Sequence, residues 1–229
     1  MARLHQRRPD SILIRWCRMR FAAHRLRFGP RPVDDDDLDD QAIPTPRLVR
    51  LKARRAAGIA DAKAILEQTP APGEALHVVC SSRMDLMDVI DCLLQRFGFC
   101  ASMHIATLGF SRRNLRQLLR WHDAQAIGEL WLLSSLFHKH HNGELFAEAQ
   151  GELTNRRQHF AACASHCKVC VLDFAPVDAG MMTLEGSANL AASGSVREQF
   201  ALVRDDSLAE WHCAWIEQLV VKHGNSNAT

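Results

Sequence analysis

From about residue 57 onward, apolar positions recur with the periods of helices and strands in alternation. Leu86, Val89, Ile90, Leu93, Leu94 and Phe97 fall at i, i+3, i+4, i+7, i+8 and i+11, which puts all six on one face of a helix. Ser82, with Asp85 three residues later, has capping-box spacing ahead of it. Residues 57–67 read as an earlier helix, and residues 75–81, with Leu76, Val78, Val79 and Cys80, as a strand. Residues 100–107 and 129–135 read as further strands. Between them Ser111 opens a helix with Leu115, Leu118 and Leu119 on one face, and residues 144–158 form another helix. Residues 160–164, 166–174, 181–185 and 198–204 then read as consecutive strands, and Leu208, Trp211, Trp215, Leu219 and Val220 mark a closing helix. Strands alternating with helices, followed by a strand-rich stretch, predict an α/β sandwich in which a mixed sheet carries helices on both faces. No internal repeat is visible.

Composition narrows the class. At 229 residues, 47% apolar and 24% charged, the chain fits one globular domain with an appendage and excludes collagen-like, wholly disordered and small disulfide-framework proteins. No run approaches the ~18 apolar residues of a membrane span, and the longest N-terminal apolar stretch, residues 11–16, is broken by Arg15. Eight cysteines without a secretory h-region read as reduced thiols of a soluble, cytoplasmic protein. The net charge of +2 hides a split. Residues 1–55 hold fourteen basic and seven acidic side chains, with an Asp-rich, Pro-flanked stretch at 34–40, so the rest of the chain is mildly acidic. The expected organisation is a basic arm and linker at 1–55 and a catalytic domain at 56–229. Such an arm suits phosphate backbones or an acidic membrane surface; a solvated leader and an organellar transit peptide remain open.

The segment rich in chemistry is His166-Cys167-Lys168-Val169-Cys170-Val171-Leu172-Asp173, followed by Glu185-Gly186-Ser187-Ala188-Asn189 and then Glu198. In a strand His166 and Lys168 share a face and Asp173 takes the other. Antiparallel pairing of 181–185 with 166–174 would deliver Ser187 and Asn189 to the same spot, with Gly186 allowing close backbone approach. Neutral imidazole is a competent nucleophile at phosphorus. Ammonium, amide and hydroxyl donors can hold the extra charge of a five-coordinate phosphorane without a metal. Glu198 is placed to accept from the other imidazole nitrogen and set the tautomer.

These residues resemble the phospholipase D superfamily, whose signature is His-x-Lys-x4-Asp followed by Gly-Ser-x-Asn. His166, Lys168 and Asp173 match the first part; Gly186, Ser187 and Asn189 match the second; Glu198 matches a carboxylate that many members place one strand later. One departure is the longer spacing between Asp173 and Gly186, which a longer hairpin absorbs. The resemblance implies a phospholipase D-like fold and phosphodiester transfer through a covalent phosphohistidine, with no metal or other cofactor. No other His is followed two positions later by Lys, so the chain has one copy of the motif. The resemblance to single-copy bacterial members implies a homodimer in which the second subunit supplies the acid. Nucleic acid is the favoured substrate, by way of the basic arm; a phospholipase or phosphatidyltransferase and a noncatalytic nucleic-acid-binding module are the alternatives.

Other features change this picture little. Cys163, Cys167 and Cys170 have the C-x3-C-x2-C spacing of radical S-adenosylmethionine enzymes, but Cys170 lies inside an apolar run near the end of the sequence, so buried thiols are expected. His138-Lys139-His140-His141 follows a strand end, where α/β sheets build sites, and His138 and Lys139 are candidate substrate contacts; a solvated loop is the other reading. Arg112, Arg113, Arg116 and Arg120 lie opposite the leucine face of their helix, and Arg112 and Arg116 are candidates for tracking a phosphate backbone, against a solvated face. Trp211 and Trp215, one turn apart, read as core or dimer contacts.

Overall fold

The computed structural model describes residues 62–64, 66–67, 69–80, 85–174, 179–190 and 198–224. The basic arm, the boundary near residue 56, Ser82 and most of the helix expected at 57–67 lie outside the described residues.

The elements run β1 (Ala75–Cys80), α1 (Leu86–Phe97), β2 (Cys100–Ala106), α2 (Arg112–Asp123), β3 (Ile127–Ser135), α3 (Leu136–His141), α4 (Gly143–Asn155), β4 (His159–Cys163), β5 (Val169–Phe174), β6 (Gly180–Gly186), β7 (Glu198–Val203) and α5 (Asp206–Gly224). Among the described residues seven strands make one mixed sheet in the order β1-β7-β6-β5-β2-β3-β4. Strands β2, β3 and β4 are mutually parallel, and the other pairings are antiparallel. The protein is therefore α/β, as the alternating pattern predicts.

Strand alternation divides the core. Cys170, Leu172, Phe174, Met182 and Leu184 join the buried faces of α1 and α2 in the larger cluster. Ala106, Leu133, Ala161, Val169 and Val171 turn the other way and are covered by Ala209, Cys213, Ile216 and Val220 of α5. Helices thus cover both faces. At ~25 cal/mol per Å² of apolar surface removed from water, this double burial is the main favourable contribution to the fold.

Three local differences from the pattern have physical causes. Helix α1 is capped by Asp85, whose carboxylate accepts from the Asp88 amide at 2.9 Å while Asp88 accepts from the Asp85 amide at 3.3 Å. A helix also forms where His138–His141 read as a loop, because the Ser135 hydroxyl at the end of β3 accepts from the His138 amide at 3.0 Å and starts a turn directly. Finally, β5 begins at Val169, so His166 and Lys168 sit in an irregular segment before the strand and not in strand alternation.

Candidate active site at one edge of the sheet

The topology gathers the chemistry. Cys80 pairs with Glu198, Glu185 with Val169, Ala106 with Val169 and Ser135 with Cys163, so the ends of β1, β2, β3, β4 and β6 and the starts of β5 and β7 share one edge. That edge lies outside the carboxyl ends of the parallel strands, where open α/β sheets place ligands.

Lys168 Nζ lies 3.2 Å from His166 Nδ1 and donates to the His166 carbonyl at 3.3 Å. An ammonium only donates, so it takes the Nδ1 lone pair and leaves the proton of a neutral ring on Nε2. The Gly186 amide donates to the Lys168 carbonyl at 3.3 Å, tying the end of β6 to this segment. One residue on, the Ser187 hydroxyl donates to Glu198 Oε2 at 2.5 Å, a short charge-assisted bond, and accepts from the Gln199 amide at 3.1 Å. The partner shown here for Glu198 is this hydroxyl, where the spacing suggested an imidazole nitrogen. Gly186 has a steric reason for its identity: an added Cβ would strike the Gln199 carbonyl oxygen and come within 2.7 Å of Phe200 Cα.

Asn189 is carried onto the α2 side of the edge. The Asn114 amide donates to the Leu190 carbonyl at 3.1 Å and pins the segment there. Asn189 lines a cleft of ≈ 500 Å³ together with His138, Arg112, Phe110, Phe137 and Asn142. His166 lines a different groove, of ≈ 660 Å³, with Trp211, His212, Trp215 and Leu219. Two of the expected substrate contacts, His138 and Arg112, therefore meet Asn189; Arg112 also pairs with Glu148 at 2.7 Å. Arg116 is exposed on α2, and Lys139 sits 5.2 Å over the Phe146 ring, outside the lining of that cleft. Asp173 pairs with Ser102 and Met181, four residues along β5 from Val169. At 3.3 Å per residue that is roughly 13 Å from the edge, so the structure does not bring Asp173 to His166.

Two histidines are more deeply engaged than their sequence setting suggests. His138 is only 4% exposed, and burial holds its pKa below the usual histidine value. His212 is buried too; burial lowers its pKa against the opposing pull of Glu185, whose Oε2 lies 3.3 Å from Nε2. Trp215 Nε1 donates to His212 Nδ1 at 3.0 Å. The only sequence signal for His212 was its place between two tryptophans. Trp211 is 62% exposed and is not a core residue. Cys163 and Cys170 are buried, whereas Cys167 is exposed. Among the described residues no group of three or more His, Cys, Asp or Glu is placed to hold a metal ion, and no helix is long and apolar enough to cross a membrane.

No protein-family model matches the chain, and no curated protein matches it. Solved structures are similar to it in chain trace. Nuc from Salmonella typhimurium, a phospholipase D family member, is 15% identical over 63% of this chain and 93% of that one, with a TM-score of 0.45. NucT from Helicobacter pylori is 13% identical over 66% of this chain and 98% of that one, with a TM-score of 0.43. TrmBL2, an archaeal chromatin protein, is 14% identical over 77% of this chain and 65% of that one, with a TM-score of 0.46. These likenesses are of the chain trace alone. The motif residues themselves carry the similarity to the phospholipase D superfamily.

Proposed function

We propose that the chain is a phosphodiesterase of the phospholipase D type that cleaves nucleic acid through His166, working as a homodimer without a metal. The observation that supports it best is the linked polar string at the sheet edge: the His166–Lys168 contact, joined through the Gly186 amide to the Ser187–Glu198 pair. In this reading a substrate phosphate takes the ammonium of Lys168 from His166 Nδ1 and so frees the imidazole lone pair. The ring nitrogen then attacks phosphorus while the bond to the leaving oxygen breaks, and that oxygen takes a proton from His166 of a second subunit. Water next attacks the phosphohistidine, gives its proton back to the second histidine, and releases the phosphate monoester with a free imidazole. Lys168 donates to the phosphorane oxygens, and Ser187 does so once its one hydroxyl proton turns from Glu198 to the phosphate; Asn189, in the other cleft, takes no part. Glu198 acts as a positioning residue through Ser187. Asp173 has no part in these steps.

The groove beside His166, with Trp211, Trp215 and Leu219 in its wall, favours a second reading in which the phosphodiester belongs to a phospholipid. Acid-quenched trapping separates the two. The full chain is incubated with phosphate-labelled oligonucleotides or with phosphate-labelled phosphatidylcholine vesicles, in EDTA, beside the His166→Asn variant. Label transferred from oligonucleotide to wild type and absent from the variant is expected; label only from vesicles selects the second reading. No label and no cleavage of either substrate by a verified dimer overturns both.

A further inference from the structure

The cleft lined by Asn189 has a chemistry of its own. Its wall includes Phe110 and Phe137 beside His138, Asn142 and Asn189. Phe137 is 58% exposed with His141 stacked on it at 4.0 Å, so a large aromatic ring stands at the surface where core packing does not require it. His138 Nδ1 lies 3.3 Å from the Asn142 amide nitrogen, which can only donate. Its neutral ring therefore carries the proton on Nε2, and that N–H is buried with no hydrogen-bond partner among the described residues. Asn189 Oδ1 is a buried acceptor in the same condition. Buried polar atoms are rarely left unpaired, and a ligand in this cleft is the natural source of partners.

An unpaired donor and an unpaired acceptor beside an exposed aromatic ring define what fits. A phosphate offers only acceptors and leaves Asn189 Oδ1 unanswered; an acyl chain offers neither. A nucleobase offers donors and acceptors on its edge and a face for stacking. Asn189 is two residues from Ser187, at most ~7 Å along an extended chain, which is close enough for a base attached to a nucleotide whose phosphate is at the sheet edge. A base held in a duplex cannot enter such a cleft without leaving the stack. Resting on the nuclease reading, we propose that the cleft is a base subsite for single-stranded nucleic acid. In it one unstacked base lies against Phe137 and bonds His138 Nε2 and Asn189 Oδ1.

Fluorescence anisotropy of the full chain, with His166→Asn in every arm to prevent turnover, tests this. The probes are labelled single-stranded deoxy- and ribo-oligonucleotides, an abasic strand of equal length and the matching duplex. Single strands with bases should bind more tightly than abasic strands. Phe137→Ala should weaken single-strand binding roughly fivefold or more and leave duplex and abasic binding unchanged. His138→Ala should act in the same direction, with its melting curve recorded. Phe137→Ala lies on the surface and keeps the test decisive if His138→Ala folds poorly. Single-strand binding that is indifferent to bases or to Phe137→Ala overturns the subsite and leaves the nuclease reading standing. Absence of binding to every oligonucleotide removes the nuclease reading, and this inference with it.

Discussion

Replacing Gly186 with Ala tests whether the close approach of β6 to β7 builds the site. The new methyl would sit within 2.7 Å of Phe200 Cα and against the Gln199 carbonyl oxygen, both backbone atoms that no rotamer change can move aside. Carbon contacts settle at ~3.5–4.0 Å, so β7 must retreat by on the order of 1 Å. The bond at greatest risk is the one from the Ser187 amide to that same Gln199 carbonyl, now 2.9 Å. Overpacking costs about 1–3 kcal/mol and a weakened hydrogen bond about 0.5–1.5 kcal/mol, for a total of about 2–4 kcal/mol. In a domain of this size each kcal/mol lowers Tm by roughly 2–4 °C, so a fall of roughly 5–15 °C is expected by calorimetry or tryptophan fluorescence. Phosphodiester cleavage should fall as well at temperatures where the variant is folded, because Ser187 is drawn off Glu198. Gly151→Ala is the control: it lies exposed in α4 with nothing within 4 Å of the added Cβ, and the helix propensity of Ala should raise stability by about 0.5–1 kcal/mol. A Gly186→Ala protein that melts within about 1 °C of wild type would refute the steric argument.

The remaining expectations are smaller. Ser187→Ala removes the hydroxyl that bonds Glu198 and should lower kcat at nearly constant KM, with stability within about 1 kcal/mol of wild type because the group is on the surface; unchanged kcat removes Ser187 from the machinery. Burial holds the pKa values of His104, His138 and His212 below 6.5, against opposing pulls from Glu217 on His104 and Glu185 on His212. The unfolded chain therefore binds more protons below pH 6.5, so this contribution is complete above pH 6.5 and is lost as pH falls through the lower folded values. Urea midpoints should drop from pH 7.5 to pH 5.5, and His104→Gln should flatten that slope; a midpoint that is level or rising toward acid counts against it. Asp123, held at about 2 by its bonds to Arg156, loses its contribution only in far stronger acid. Alkylation of the native protein, mapped by mass spectrometry, should reach Cys167 well before Cys100, Cys170 and Cys213. Cys167 is exposed; burial raises the other three thiols, Cys100 and Cys213 to about 12. Equal labelling of Cys167 and Cys170 would contradict the placement of β5 in the core.

The apolar pattern carried the element types, because burial of one face repeats every 3.6 residues in α1 and α2, while β5, covered on both faces, shows as a short continuous apolar run. It also carried the chemical types in the motif, since His, Lys, Ser, Asn and Glu in that order are visible without coordinates. Spacing could not tell a strand from the irregular segment that holds His166 and Lys168, because two residues separate them in either geometry. Nor could it show that Ser187 is a partner of Glu198, that Asn189 faces a different cleft from His166, or that Asp173 lies at the far end of β5. Those relations depend on sheet order and register, which join residues distant in sequence through backbone hydrogen bonds between strands. His138 and His212 make the same point: whether a histidine is a solvated side chain or a buried ring with an unpaired or shared proton depends on what packs over it. In this protein the sequence determined which functional groups are present and their order along the chain. The order β1-β7-β6-β5-β2-β3-β4 decided which of them meet.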